Sequence, residues 1–242
     1  MERIISLASG NIWTWDKLLK NKADQLFYFR KLKIDGMEIT FSSKEDLYNF
    51  KLSSSDEKWL KSLKYVSIHA PFGLTRDADD EAEVVKQLKF IAKLYKEIKA
   101  KNVVIHPQEL PRSEILNKFN FKVSIENLKP KKKFTIPKLR EILKKYPKMG
   151  FCLDVTHSYY WSKDETAELI KAFGKRITQI HFSGNYRKQE HTSLRKVSRD
   201  FLFSIEPVFE IDVPIVIEEN IKVKSENFLR EEVEFIKNMF AE

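Results

Sequence analysis

The sequence predicts an α/β protein, a single (β/α)8 TIM barrel over residues 1–242, and three observations carry that prediction. Short β-branched or apolar runs alternate with helix-forming stretches eight times, at a spacing of roughly thirty residues, and no Gly- or Ser-rich linker divides them. A length of 242 residues is long for an ordinary domain but suits one barrel with a large core. Six of the runs end in a carboxylate or an imidazole, and a barrel gathers its reactive groups at those strand ends. A doubly wound open sheet would call for a Gly-rich phosphate loop after an early strand. Neither GxGxxG nor a Walker motif is present.

Residues 3–8 (RIISLA) form the first expected strand, and apolar residues at near-helical spacing, including Leu18, Leu19, Leu26 and Phe29, predict a helix over 13–32. The second strand, 35–40 (DGMEIT), carries Glu38 near its end and precedes a helix over 57–63 capped by Ser55 or Asp56. The third, 65–69, leads into a long amphipathic helix over 79–100 with Val84, Leu88, Ile91, Leu94 and Ile98 on one stripe. After the fourth strand, 103–106, Pro107 and Pro111 leave room only for a brief or irregular helix. The fifth strand, 122–126, is followed by a helix over 136–146 with Thr135 as cap and Pro137 in its first turn. The sixth strand opens GFCLDVTHSYY (150–160), in which Phe151, Cys152 and Leu153 are apolar in succession; a strand tolerates that only with both faces covered. A helix over 164–173 follows. The seventh strand, 178–182, gives way to a polar loop and a helix over 194–209. The eighth, 214–218, precedes a closing helix over 226–240.

A composition 42% hydrophobic and 33% charged excludes disordered and membrane classes. The start MERIISLASG lacks the basic and apolar segments of a signal peptide, and no apolar run approaches the ~20 residues that span a bilayer. A cytoplasmic protein with no membrane partner is expected. The lone Cys152 excludes an internal disulfide and reads as an inert buried thiol. Forty-four Lys and Arg against 35 Asp and Glu give a net charge of +9, a field that attracts nucleic acid or phosphorylated ligands. The runs 129–133 and 144–148, however, read as solvated lysine faces. Arg187, Lys188 and Arg195 read likewise as solvent-facing loop charges, with phosphate binding as the alternative. No pattern specifies an oligomeric state, although Trp161 and Phe240 would serve an interface if exposed.

Glu126, Asp154, His181 and Glu218 end the fifth to eighth strands, so four neighbouring strands aim three carboxylates and one imidazole at one point. Three anions gathered without a cation repel. A divalent metal removes the conflict, and this mixed oxygen and nitrogen set suits Mn, Co or Zn better than an all-oxygen Mg or Ca cage. Pairing with Lys or Arg across the barrel mouth is the structural alternative. His69 and His106 end the third and fourth strands, where they either support a second metal bridged through Glu126 or bind substrate hydroxyls. His157, three residues past Asp154, and His191, after the seventh strand, either hold a third ion or position a substrate. One to three ions are expected.

The motifs IHAPF, IHP, IEN, LDVTH, IHFS with the later His191, and VIEEN resemble the xylose isomerase-like TIM-barrel superfamily, which includes sugar isomerases and epimerases and also endonuclease IV. In the isomerase and epimerase branch the resemblance implies one metal held by Glu126, Asp154, His181 and Glu218. Glu126 and Glu218 would then exchange a proton with a sugar or sugar phosphate, and His157 would hold a substrate oxygen. The DGMEI stretch is similar to that branch. In the endonuclease IV branch it implies a zinc cluster that cleaves DNA at abasic sites. His69, His106 and Glu126 would hold one ion, Asp154, His181 and Glu218 would join Glu126 around a second, and His157 and His191 would serve a third. The chain departs from that branch at three points. Gln189, with Glu190 beside it, stands where the family has an aspartate two residues before the last histidine; SLASGN lacks a histidine; and FSSKEDL lacks a basic DNA-probing loop. The isomerase reading therefore ranks first, the nuclease is the alternative, and a non-catalytic sugar- or partner-binding barrel has no evident need of so many ligand-type residues. A closed pocket lined by Phe72, Tyr159, Tyr160 and Trp161 would suit a sugar, and an open basic groove would suit DNA.

Overall fold

Along a β-strand successive side chains point to opposite faces, and here that alternation sorts an apolar outer set from a polar inner one. Leu7, Met37, Ile39, Val66, Ile68, Val103, Ile105, Ile125, Phe151 and Leu153 belong to the hydrophobic core beneath the helices. The residues between them include Ser67, Asn102, Ser124, Glu126 and Asp154, all equally buried and all polar. The computed structural model describes residues 3–187 and 189–241. Its strands are β1 (Ile5–Ala8), β2 (Gly36–Thr40), β3 (Tyr65–His69), β4 (Asn102–Ile105), β5 (Val123–Glu126), β6 (Gly150–Asp154), β7 (Ile177–Phe182), a hairpin of β8 (Gly184–Tyr186) and β9 (Gln189–Thr192), and β10 (Ile215–Ile217). All but the hairpin close in the order β1-β10-β7-β6-β5-β4-β3-β2, every neighbouring pair parallel. This is the (β/α)8 TIM barrel the sequence predicts.

The helices are α1 (Leu26–Phe29), α2 (Lys44–Asn49), α3 (Ser54–Ser62), α4 (Glu81–Glu97), α5 (Ser113–Leu116), α6 (Ile136–Lys145), α7 (Val155–Tyr159), α8 (Glu165–Phe173), α9 (Arg199–Ile205) and α10 (Glu226–Met239). Side-chain caps set several starts: Asp80 accepts the Glu83 amide at α4, Ser225 the Phe228 amide at α10, and Ser53, not the expected Ser55 or Asp56, the Asp56 amide at α3, whereas the expected Thr135 precedes α6 without a side-chain cap bond. Val84, Leu88, Ile91 and Leu94 of α4 are buried as their spacing requires. Among the described residues no helix is long and apolar enough to cross a membrane.

Beyond these caps, three expectations need correction. The helix over 13–32 is replaced by turns, one 3₁₀ segment (Lys22–Gln25) and the single turn α1. Asp16 adopts a positive φ of 46°. Asn21 accepts the Ala23 amide and donates to Lys51, while Gln25 donates to the Trp15 carbonyl, so tertiary bonds outcompete the periodicity and Leu18 is left exposed. The helix over 194–209 breaks into a 3₁₀ turn, α9 and a second 3₁₀ turn, because Ser198 caps a new helix and Pro207 opens the last turn. The polar loop after the seventh strand contains the β8–β9 hairpin, turned at Arg187 with φ 49°.

Inside the barrel, polar side chains reach across the lumen. Gln179 on β7 donates to Glu38 on β2 at 2.6 Å and accepts from Tyr65 on β3 at 2.8 Å, although β7 neighbours neither strand. Gly36 makes room for this layer: a Cβ there would lie 2.5 Å from the Tyr65 carbonyl oxygen and against Ser6 Oγ. Overpacking a rigid interior costs about 1–3 kcal/mol. Gly36→Ala should lower stability by about that amount, seen as a reduced urea midpoint at unchanged slope.

Candidate metal centre at the barrel mouth

Closure of the barrel brings the tips of β5, β6, β7 and β10 to one point. Asp154 is paired in register with His181, and Glu218 follows β10 directly. One ligand atom from each of Glu126, Asp154, His181 and Glu218 lies within 4.8 Å of the others. His181 Nδ1 is 3.0 Å from Glu218 Oε2 and 3.5 Å from Glu126 Oε2. Two further groups of the same compactness adjoin: His69, His106 and Glu126 on one side, Asp154, His157 and His191 on the other. Glu126 and Asp154 each belong to two groups, so the eight residues singled out from the sequence form one linked row. Glu190 stands outside these groups and pairs with Lys129 at 2.5 Å.

Local structure fixes which atoms face inward. The Asn127 amide pairs reciprocally with the Asp154 backbone, accepting from its N–H at 2.8 Å and donating to its carbonyl at 2.8 Å, which locks the tips of β5 and β6 together. Asp154 Oδ1 accepts the His157 amide at 2.6 Å and so caps α7, while Oδ2 is left without a hydrogen bond. Carbonyl oxygens can only accept, and they set three imidazole tautomers. His69 Nδ1 donates to Ala70 at 2.9 Å, His157 Nδ1 to Asn127 at 3.0 Å and His191 Nδ1 to Glu218 at 2.9 Å. Each turns its Nε2 away from that carbonyl, and in His69 Nε2 meets Glu126 Oε2 at 3.2 Å. His191 is held in the left-handed region at φ 53°, a strained backbone for a non-glycine residue.

Burial pushes every one of these carboxyls toward the neutral form, and the imidazoles oppose it. Despite its burial, Glu126 is held well below the ordinary carboxylate range by His181, His106 and His157, and Glu218 is lowered by His181. Asp154 is raised, because burial outweighs His157. His157 overcomes its own desolvation through Asp154 and Glu126 and rises to about 9. His181 and His69 are raised by neighbouring acids in the same way, whereas burial leaves His106 lowered. No lysine or arginine among the described residues is ion-paired with the four tip residues. Asp154 Oδ2, His181 Nδ1 and Glu218 Oε2 are buried, close and without hydrogen bonds, which native interiors rarely permit. A divalent cation resolves all three at once, so these residues fit a metal.

A cavity of about 430 Å³ opens onto this row at Glu218 and His191. Trp13, Phe50 and Phe72 wall it, and Lys22 is the only Lys or Arg on its lining among the described residues, against Asp46, Glu218 and Glu219 on the same lining. Of the four aromatics expected there, Phe72 alone is present. Tyr159 packs on Phe201, Tyr160 lies beside Lys129, and Trp161 donates to the Leu128 carbonyl at 2.7 Å. Phe240 is packed on Phe182 and Phe209, so neither it nor Trp161 is a free interface aromatic. Arg195 is exposed, as expected, and also ion-paired with the fully buried Glu232; Arg187 is exposed, and Lys188 lies outside the described residues. Cys152 is wholly buried with its thiol pushed far up by burial, an inert group.

The sequence did not single out the roles of Asn127, Gln179 and Glu38. Asn127 and Glu38 lie in the quoted IEN and DGMEI stretches, so their positions were visible although their contacts were not.

A family model described as xylose isomerase-like TIM barrel matches residues 111–238. No match to a curated protein sequence was found. Among solved structures, a D-tagatose 3-epimerase-like protein is 19% identical at a TM-score of 0.65, with 98% of this chain and 99% of that one covered. Endonuclease IV from Thermus thermophilus is 17% identical at 0.64, covering 99% and 97%. A probable 3-DHS dehydratase from Bacillus anthracis is 15% identical at 0.70, covering 97% and 99%. At these identities the likeness establishes the fold.

Proposed function

Because the chain belongs to the xylose isomerase-like TIM barrel family, we propose that it is a divalent-metal-dependent enzyme that isomerises or epimerises a small sugar or sugar phosphate. The reading includes one barrel domain over residues 1–242 and a cytoplasmic location. The observation that carries it is the cavity: about 430 Å³, walled by aromatics, and opening onto the carboxylate and imidazole row. Held by Glu126, Asp154, His181 and Glu218, a divalent cation (Mn, Co or Zn, one to three ions in all) would supply Lewis-acid polarisation of a substrate carbonyl.

The chain's own groups account for the remaining chemistry. Glu218 lies at the cavity edge with Oε2 free of hydrogen bonds, and Glu126 lies fully buried beneath. Both stay ionised despite burial, so either can take a proton from the carbon beside a carbonyl; two carboxylates on opposite faces of the sugar can remove it from one face and return it to the other. His157, its Nδ1–H already committed to Asn127, offers Nε2 to a substrate oxygen. Phe72, stacked on His106 at 5.3 Å, shields that end from water.

A second reading, an endonuclease IV-like enzyme that cleaves DNA at abasic sites, is favoured by the three linked ligand groups. A nearly cation-free cavity wall counts against it, since duplex DNA is held through its phosphates. Elemental analysis, solvent deuterium incorporation at a sugar carbon, and incision of an abasic-site duplex separate the two. Carbon-bound exchange without incision is the expected result, and three zinc ions with incision would reverse the ranking.

A further inference from the structure

Beneath the centre, Glu38 is wholly buried in the lumen, and its only ion-pair partner among the described residues is His181. We propose that Glu38 is a positioning residue that fixes the ring and tautomer of His181, so that Nδ1 meets the cation as a bare lone pair; this rests on the metal reading above.

The geometry assigns donors and acceptors atom by atom. His181 turns Nδ1 toward Glu218 and Glu126 and Nε2 toward the lumen floor, where Nε2 lies 3.1 Å from Glu38 Oε1 and 3.0 Å from Gln179 Nε2. The Gln179 amide cannot be turned round. Its Oε1 accepts from Tyr65 Oη at 2.8 Å and from Asn102 Nδ2 at 3.0 Å, so the end facing His181 is the NH₂, a donor. That NH₂ donates to Glu38 Oε2 at 2.6 Å, and Ser67 Oγ donates to the same oxygen at 2.8 Å. Oε2 is therefore satisfied twice, while Oε1 receives no hydrogen bond of ordinary geometry. In the contact above, the Gln179 NH₂ can serve Nε2 only while that nitrogen is an acceptor; a neutral imidazole whose Nδ1 is given to a cation must instead carry its proton on Nε2, with the NH₂ left to Glu38 Oε2. Oε1 is the acceptor waiting there.

The two sides of the ring are thus matched. With Nε2–H donated to a carboxylate, the imidazole cannot rotate and its Nδ1 becomes a stronger donor; outer partners of this kind are typically worth about 10- to 100-fold in metal affinity. The buried anion also adds to the charge a cation would neutralise. Tyr65, Asn102, Ser124 and Thr178 continue the hydrogen-bonded layer outward and hold Gln179 in place.

The test uses zinc, which is diamagnetic, and the full chain. Nitrogen-15 NMR of the zinc-loaded wild type is expected to show His181 protonated at Nε2 and ligated through Nδ1. Chelator competition is expected to show zinc affinity about 10- to 100-fold weaker in Glu38→Gln, with a smaller loss in Glu38→Asp, which keeps the charge but draws it back. Unchanged zinc affinity in Glu38→Gln, or a proton found on Nδ1 in the loaded wild type, overturns the assignment and leaves the metal reading standing. A wild type that binds no zinc, manganese or cobalt overturns both. The wild-type spectrum decides even if a variant fails to fold.

Discussion

Saturating zinc or manganese should raise the thermal midpoint of chelator-stripped protein by about 8–16 °C. The figure follows from linkage: a ligand bound only by the native state at a thousandfold its Kd stabilises by about 4.1 kcal/mol, and a chain of this size shifts about 2–4 °C per kcal/mol. The physical source lies in the centre itself. Four carboxylates, Glu38, Glu126 and Asp154 fully buried and Glu218 largely so, stand at or just beneath one barrel mouth, and among the described residues their only ion-pair partners are imidazoles. Without a cation, the histidines must hold protons against their own desolvation, as the raised His157, His181 and His69 record. With one, the same lone pairs are satisfied and the protons are released, so the shift should shrink as pH falls and protons compete for the ligands. Asp154→Asn keeps the α7 cap oxygen but removes a charge, and should abolish most of the shift while leaving the stripped protein folded. Differential scanning calorimetry with and without metal checks this, and equal midpoints at every pH would remove the basis for a metal-dependent function.

Much of this centre was visible in the chain because a barrel turns linear order into spatial order. An apolar run that ends in Glu126, Asp154 or His181 has one place to put that residue once neighbouring strands pair in sequence. What needed closure was not visible. Glu38 and Gln179 are 141 positions apart and meet only because β2 and β7 face each other across the lumen. The cavity walls failed for a different reason. Trp13 and Phe50 come from connecting segments whose paths are set by side-chain bonds such as Asn21 to Lys51 and Trp13 to Asn220, and no periodicity encodes those. The expected Tyr159 and Trp161 sit on or just past α7, and the Asp154 cap turns that helix so that they pack elsewhere.

Glu218→Gln should lower the rate of carbon-bound hydrogen exchange by about 10²- to 10⁴-fold, the range that general acid–base groups supply. Substitution by glutamine retains an oxygen at the site but not a proton acceptor of useful basicity. Glu218 is also one of the four ligands, so metal affinity should weaken; at saturating metal, with the site occupied through the remaining ligands, kcat should still collapse while KM changes little, the pattern of an interaction made in the transition state. Glu126→Gln should behave differently, because Glu126 belongs to two ligand groups and is approached by His69 at 3.2 Å, His106 at 3.4 Å and His157 at 3.0 Å. Removing its charge leaves three imidazoles without their common anion, so metal occupancy and exchange should fall together. The contrast is diagnostic. If both variants lose metal equally, Glu218 is a ligand without a proton-transfer role; if both keep metal and full exchange activity, neither carboxylate is the base, and the proton must move through His157 or through a group on the cavity wall.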